Sequence, residues 1–481
     1  MRKLYTCLVA LFFVLLAFFG LWAALDKDPT MSVSENRKLA EKPKLTLSSL
    51  FDGSYQTNYE TYYADTFPLR ESFMSLNRKL NGFYYYSGKG DGDVVLSGIK
   101  TDAEQGGVSL DDYAAAVDGE KHDDASASQT PDTGDAAQPD DAAAPDGADE
   151  GTQTPPEDED EGPIPERTYP EEYTSTDSTI IISGDTAMDI PTATYSVIAD
   201  YAQAINNIDN ALSDDVRVFS VLTPNSGEFY SPEDFHTGLH SQKDMIDACY
   251  ADMQDSVYTV DAYSELARHA DEYIFFRTDH HWTALGAYYA YKQFCKTAGF
   301  DAVPLDEFQT GRYDNFVGTM YTYTSSYPQS QALKDNPDYV DYYLPIVNTT
   351  AKYYQDATLT NGIASSVVIT TLSPDYSNKY LCFISGDTPI FIIDTDVKDG
   401  GTCLVLKESY GNAFVPFLTS HYSRIIVVDP REFNRQDKPA LDLVSFAAEQ
   451  GVNDVITLDY PFMINNIYYI SWLNRLVGMD E

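Results

Sequence analysis

Short apolar runs rich in valine and isoleucine recur from residue 179 onward, at 179–183 (TIIIS), 216–222 (VRVFSVL), 257–260 (VYTV), 402–406 (TCLVL), 424–428 (RIIVV) and 454–458 (DVITL). They are continuous and do not alternate with polar residues, which is the pattern of a strand covered on both faces. Several are flanked by stretches with helical patterning, at 194–212, 283–297 and 439–450, the second with Thr283 placed to cap its N-terminus. Strands buried on both faces and alternating with helices predict a three-layer α/β domain with a mainly parallel sheet over residues 173–481. The turn-punctuated stretch 380–395 (YLCFISGDTPIFIIDT) predicts an antiparallel hairpin added to that sheet, and no internal repeat is evident.

The N-terminal third has a different pattern. Arg2 and Lys3 precede an uncharged, mostly apolar run from Leu4 to Leu25. Its roughly 22 residues, at ~1.5 Å each, are enough to cross a hydrocarbon core of ~30 Å. Asp26 and Asp28 follow it, so the positive-inside rule places the N-terminus in the cytoplasm and the bulk of the chain outside. A cleaved signal peptide would carry a shorter apolar stretch of about 7–15 residues and an A-x-A-like site, and the nearest approach to one is Trp22-Ala23-Ala24-Leu25. Residues 1–27 are therefore expected to be an uncleaved membrane anchor, one transmembrane helix holding an otherwise extracellular chain at the cell membrane. Residues 28–100 read as a polar arm that becomes aromatic, from Tyr59 to Tyr63 and again from Phe83 to Tyr86, and must pack on the main domain. Residues 101–172 read as a disordered acidic insert. From 101 to 170 it holds 21 acidic residues against 2 basic among Ala, Pro, Gly, Ser and Thr, too little apolar surface to offset the entropy of ordering.

Composition narrows the function. With 75 acidic and 31 basic residues among 481, the net charge of −44 argues against binding nucleic acid through a basic face. The 37 Tyr and 24 Phe exclude disorder along the whole chain. Five scattered cysteines, Cys7, Cys249, Cys295, Cys382 and Cys403, contain no CxxC pair, so neither a zinc ribbon nor a disulfide scaffold is encoded.

Two polar constellations carry candidate chemistry. The first is Arg277-Thr278-Asp279-His280-His281-Trp282-Thr283. If extended, this piece places Asp279 and His281 on one side and His280 on the other. A carboxylate beside an imidazole fixes its tautomer and stabilises the imidazolium, so the spacing favours His281 as general base and Asp279 as its orienter. Helix-capping polar residues are the plainer alternative. With 7 His and neither an HExxH string nor a cysteine pair, no metal site is expected.

The second constellation is Lys407-Glu408-Ser409-Tyr410-Gly411-Asn412-Ala413-Phe414, directly after the run 402–406. A serine at a strand-to-helix turn stands above the carboxyl edge of the sheet, where open α/β sheets place their ligands, and the amides of Tyr410 and Gly411 are candidates to hold a developing oxyanion. An N-cap serine is the alternative for this motif alone. Asn412 and Asn225 are further oxyanion candidates, Asn225 with a structural turn as its alternative. Arg277 is a candidate for an anionic sugar or for pairing with the acidic surface.

Together, RTDHHWT, the following ALGAYYAY and the later KESYGNAFVPFL resemble the DHHW family, which is related to the SGNH-hydrolase-like domains of the alginate O-acetyltransferase group (AlgX/AlgJ-like). SENRKLA, ADTFPLR, VLTPNSGEFY, FVGTMY, FISGDTPI and VVDPREF extend the resemblance over most of residues 30–100 and 173–481. It implies an SGNH-hydrolase-like fold and a triad of Asp279, His281 and Ser409, with His280 in a variable position. It also implies extracellular acyl transfer, mainly of acetyl groups, to hydroxyls of a cell-surface polysaccharide through an acyl-serine, without a cofactor. Because no acetyl donor is available outside a cell, it implies a membrane-bound O-acyltransferase as partner. A carbohydrate esterase using the same triad and a non-catalytic glycan-binding or assembly protein are the alternatives.

Overall fold

A computed structural model describes residues 163–479, except 177, 375, 436 and 437, together with a few positions between 31 and 67. The apolar run Leu4–Leu25, nearly all of the arm and the insert up to residue 162 lie outside the described residues. Among the described residues no helix is long and apolar enough to cross a membrane. The last part of the stretch assigned to the insert, 163–172, is described and lies against the main domain. There the Arg167 guanidinium sits 4.5 Å from the Phe229 ring centroid and Tyr169 packs on His236 at 4.1 Å.

After a short antiparallel pair of Met31–Ser32 with Arg37–Lys38, the described chain forms a small antiparallel sheet of β1 (Thr174–Ser175), β2 (Ile180–Ser183) and β3 (Thr186–Asp189). The strands that follow are β4 (Arg217–Leu222), β5 (Val257–Val260), β6 (Thr310–Phe316), β7 (Asp338–Tyr343), β8 (Thr349–Tyr354) and β9 (Ile363–Ser365). The last four are β10 (Ile390–Thr395), β11 (Thr402–Lys407), β12 (Arg424–Val428) and β13 (Asp454–Asp459). Eight of them make one sheet in the order β9-β8-β10-β12-β11-β13-β4-β5, and β6 pairs with β7 separately. The five strands from β12 to β5 are mutually parallel, while β10, β8 and β9 extend one side with antiparallel pairings.

The longer helices among the described residues are α1 (Tyr195–Ala211), α2 (Gln242–Ala251), α3 (Ala262–Arg268), α4 (Ala284–Ala298), α5 (Leu443–Gln450) and α6 (Ile467–Leu476). Helix α1 packs on α2 and α6, and α3 packs on α4. The inner strands β11, β12 and β13 are buried along nearly their whole length, which explains their unbroken apolar character. Thr283 caps α4 as expected, its hydroxyl accepting from the Gly286 amide.

Two strand expectations are corrected. The run 179–183 forms β2 of the small sheet and not a strand of the large one. Gly184, at φ +59°, reverses the chain at once, so that β2 pairs with β3 locally. Residues 380–395 do not form a hairpin: Lys379–Cys382 is a 3₁₀ turn, and β10 lies between β8 and β12. Ile384, Ser385 and Gly386 all have positive φ, which breaks the extended backbone a hairpin arm would need.

Candidate active site

The parallel strands deliver their last residues to one edge. Strand β11 carries buried Cys403–Leu406 through the sheet and ends at Lys407, after which Ser409–Ala413 turn as a 3₁₀ helix leading into Val415–Leu418. The turn is held by an ion network of buried Lys407, Arg431 and Asp429 with half-buried Asp387. Lys407 Nζ donates to Asp387 Oδ1 at 2.9 Å and to Asn412 Oδ1 at 2.5 Å, and Arg431 joins Asp387 to Asp429 at 2.7 Å each. Lys407 and Arg431 are wholly buried, so removing either carboxylate partner would strand a cation in a medium that solvates it poorly. Gly411 is required by close approach, since a Cβ there would overlap the Lys407 stem.

The other half comes from residues 277–281, 128 positions before the serine turn. They form a loop rather than the extended piece considered above, closed by the Phe275–Trp282 bridge and by the Phe276 amide donating to His281 O at 3.2 Å. Asp279 and His281 nevertheless meet. Asp279 Oδ1 accepts from both the backbone N–H of His281 (3.1 Å) and its ring Nδ1 (2.6 Å), a turn closed by the aspartate side chain. His281 Nε2 lies 2.6 Å from Ser409 Oγ. The structure thus brings together Ser409, His281 and Asp279, each no more than 6% exposed.

Residues absent from the sequence-based set complete the support. Thr319 donates its amide (2.9 Å) and its hydroxyl (3.0 Å) to Asp279 Oδ2. Gly318 leaves no room for a Cβ against the Asp279 side chain. Tyr380 stacks on the His281 ring with centroids 4.0 Å apart and planes 13° apart, and its hydroxyl donates to Ser409 O at 3.2 Å. The Trp282 indole N–H donates to Tyr410 O at 2.8 Å, tying one loop to the other. The string FVGTMY held a signal for Gly318 and Thr319, whereas nothing local marked Tyr380.

Electrostatics favour the ionised aspartate. Burial by itself would raise the Asp279 carboxyl, but the close imidazoles of His281 and His280, the His281 hydrogen bond and the Thr319 amide outweigh it and hold the group well below the usual carboxylate range. Asp279, His280 and His281 also bring possible ligand atoms within 4.8 Å of one another. They do not suit a metal as arranged, because His281 has both ring nitrogens engaged by Asp279 and Ser409.

The remaining candidates are differently employed. The Tyr410 amide donates to Glu408 Oε2 at 3.1 Å, the Gly411 amide to Glu408 O at 3.0 Å, and the Asn412 amide group to Asp387 at 3.0 Å. Asn225 holds a turn, its Oδ1 accepting from Gly227 N and Gln242 Nε2 at 2.8 Å each. Arg277 binds Asp338 at 3.1 Å, Pro337 O at 3.2 Å and Asp185 at 3.4 Å, which accounts for its charge within the fold.

Fold and geometry define a mixed α/β protein with a Ser–His–Asp arrangement at the carboxyl edge of a large sheet. The chain belongs to the DHHW family: the family described as DHHW protein matches residues 35–428. A crystal structure of a DHHW family protein from Eubacterium siraeum is similar to it at 30% identity over 63% of this chain and 97% of that one, with a TM-score of 0.56. PatB1 of Bacillus cereus, solved with a sulfonyl adduct, is 16% identical over 60% of this chain and 98% of its own, at a TM-score of 0.48. The O-acetyltransferase domain of Pseudomonas putida AlgJ is 12% identical over 63% and 97%, at 0.36. No curated protein matches the chain.

Proposed function

We propose that this protein transfers acyl groups, chiefly acetyl, to hydroxyls of a cell-surface polysaccharide through an ester on Ser409. The observation that carries the proposal is the unbroken chain from Ser409 Oγ to His281 Nε2 at 2.6 Å and from His281 Nδ1 to Asp279 Oδ1 at 2.6 Å. Ser409 Oγ attacks the acyl carbonyl as its proton passes to His281 Nε2, and the departing group takes that proton. A sugar hydroxyl then attacks the ester, giving its proton to His281 and restoring Ser409. Asp279 keeps His281 in the tautomer that accepts at Nε2 and offsets the charge formed on the ring. Water in place of the sugar would make the same site an esterase.

In this proposal residues 1–27 anchor the chain in the cell membrane with its bulk outside, and a membrane-bound O-acyltransferase supplies the acyl group. Treatment of the full chain with a fluorophosphonate is expected to modify Ser409 and to leave Ser409→Ala and His281→Ala unmodified. A folded wild-type protein that stays unmodified at Ser409 yet binds glycan would overturn the proposal in favour of a binding role. Supplying a chromogenic acetate ester together with oligosaccharide separates the acceptors: acetylated sugar supports transfer, and free acetate alone supports hydrolysis.

A further inference from the structure

His280 neighbours the triad without belonging to it. Its ring lies against that of His281, with centroids 3.8 Å apart and planes at 37°, and its Nδ1 is 2.6 Å from the Thr319 hydroxyl. The same hydroxyl is 3.0 Å from Asp279 Oδ2. An ionised carboxylate can only accept, and a hydroxyl has one hydrogen. The Thr319 hydrogen therefore goes to Asp279, and the Thr319 oxygen must receive a hydrogen from His280 Nδ1. One carboxylate thus orders two imidazoles, His281 directly on Oδ1 and His280 through Thr319 on Oδ2.

We propose that His280 is a positioning residue that acts through His281: neutral and donating Nδ1–H to Thr319, it completes the bonds that orient Asp279, and once protonated it blocks formation of the His281 imidazolium. The inference rests on the acyl-transfer reading above. When Ser409 attacks, its proton makes His281 cationic. A second cation 3.8 Å away, sharing the same single carboxylate, opposes that charge in a site where water screens little. The titratable groups facing His280 are Asp279 and His281 from its own loop and Tyr410 from the serine turn, with ring centroids 6.5 Å apart; the Thr319 hydroxyl faces it from residues 319–324 and does not titrate. Glu408 Oε2, 3.1 Å from Ser409 Oγ, competes with His281 Nε2, at 2.6 Å, for the single serine hydrogen.

The test is the pH dependence of Ser409 labelling in the full chain. The fluorophosphonate forms an O–P bond and releases fluoride, and the serine proton leaves through His281 to water, so labelling reports the same proton transfer. If two deprotonations are needed, the wild-type rate falls by about a hundredfold per pH unit on the far acid side. His280→Asn, whose amide nitrogen reproduces the Nδ1 donor without the titration, is expected to fall by only about tenfold per unit. Thr319→Val is expected to slow labelling and Thr319→Ser to restore it. A wild-type slope of one proton, or a His280→Asn profile that superimposes on the wild type, overturns the proposal. Nitrogen NMR of imidazole-labelled protein decides the matter without labelling chemistry. Neutral His280 is expected as the Nδ1–H tautomer, with His281 titrating at higher pH in His280→Asn; an Nε2–H tautomer for neutral His280 overturns it. Failure of wild-type Ser409 to label counts against the acyl-transfer reading, whereas normal labelling with unchanged pH profiles counts against His280 alone.

Discussion

Replacing Asp279 with Asn tests the orienting role most sharply, because the change removes one charge and almost no volume. The carboxylate accepts four hydrogens: from His281 Nδ1 and N on Oδ1, and from Thr319 N and Oγ1 on Oδ2. An asparagine amide nitrogen must face one of these two pairs of donors. Facing His281, it forces the ring to carry its hydrogen on Nε2, where it can no longer accept from Ser409. Facing Thr319, it loses both bonds that fix the side chain. A charge-assisted hydrogen bond contributes about 1.5–3 kcal/mol, and the wrong tautomer removes the base from a large share of molecules. Losing such a bond alone corresponds to about 10- to 150-fold in rate; with the tautomer loss added, the expected fall approaches the roughly 10⁴ found when the Asp of such a triad becomes Asn. The assay is second-order labelling of Ser409 by fluorophosphonate, followed by mass spectrometry, with circular dichroism confirming the fold. Should Asp279→Asn label within tenfold of the wild type while His281→Ala does not label at all, Asp279 is not orienting the base and the triad account is wrong.

Gly318→Ala places a methyl group against the Asp279 side chain, and the resulting overpacking is expected to cost about 1–3 kcal/mol in denaturant unfolding and to slow labelling at Ser409 by pushing Asp279 off His281; unchanged stability and rate would show that residues 317–319 yield freely. Asp459, wholly buried at the end of β13 and bonded to the Tyr201 hydroxyl at 2.5 Å, is pushed up to about 7 by burial. Its folded-state value lies above its unfolded one, near 3.9, so it subtracts stability progressively from about pH 4 to pH 7 and fully above that, by up to about 4 kcal/mol. Asp459→Asn is accordingly expected to raise the melting temperature at pH 8 and to do little at pH 4, and an equal effect at both would refute this.

The alternation of apolar runs and helical stretches was enough to place β4, β5, β11, β12 and β13 and the helices α1, α4 and α5, because a strand covered on both faces and a helix with one covered face impose their periods directly on the chain. It also led to Asp279, His281 and Ser409, through a close spacing and a strand-to-helix turn. Even so, the juxtaposition of Asp279 and His281 arises from a turn that the aspartate side chain closes and not from strand alternation. Tertiary structure alone decided which strands are neighbours. Strand β10 lies between segments 349–354 and 424–428, and β2 left the large sheet for a local partner, because pairing depends on what else is available to satisfy each backbone edge. It likewise decided that Tyr380 would lie flat on His281, that Thr319 would bind Asp279, and that Asn412 and Arg277 would be occupied within the fold. The sequence by itself determined which residues have the chemistry and which segments are regular, since both follow from side-chain type and local period. Which oxygen each donor finds depends on distances between segments as far apart as 128 residues, and only the folded chain sets those.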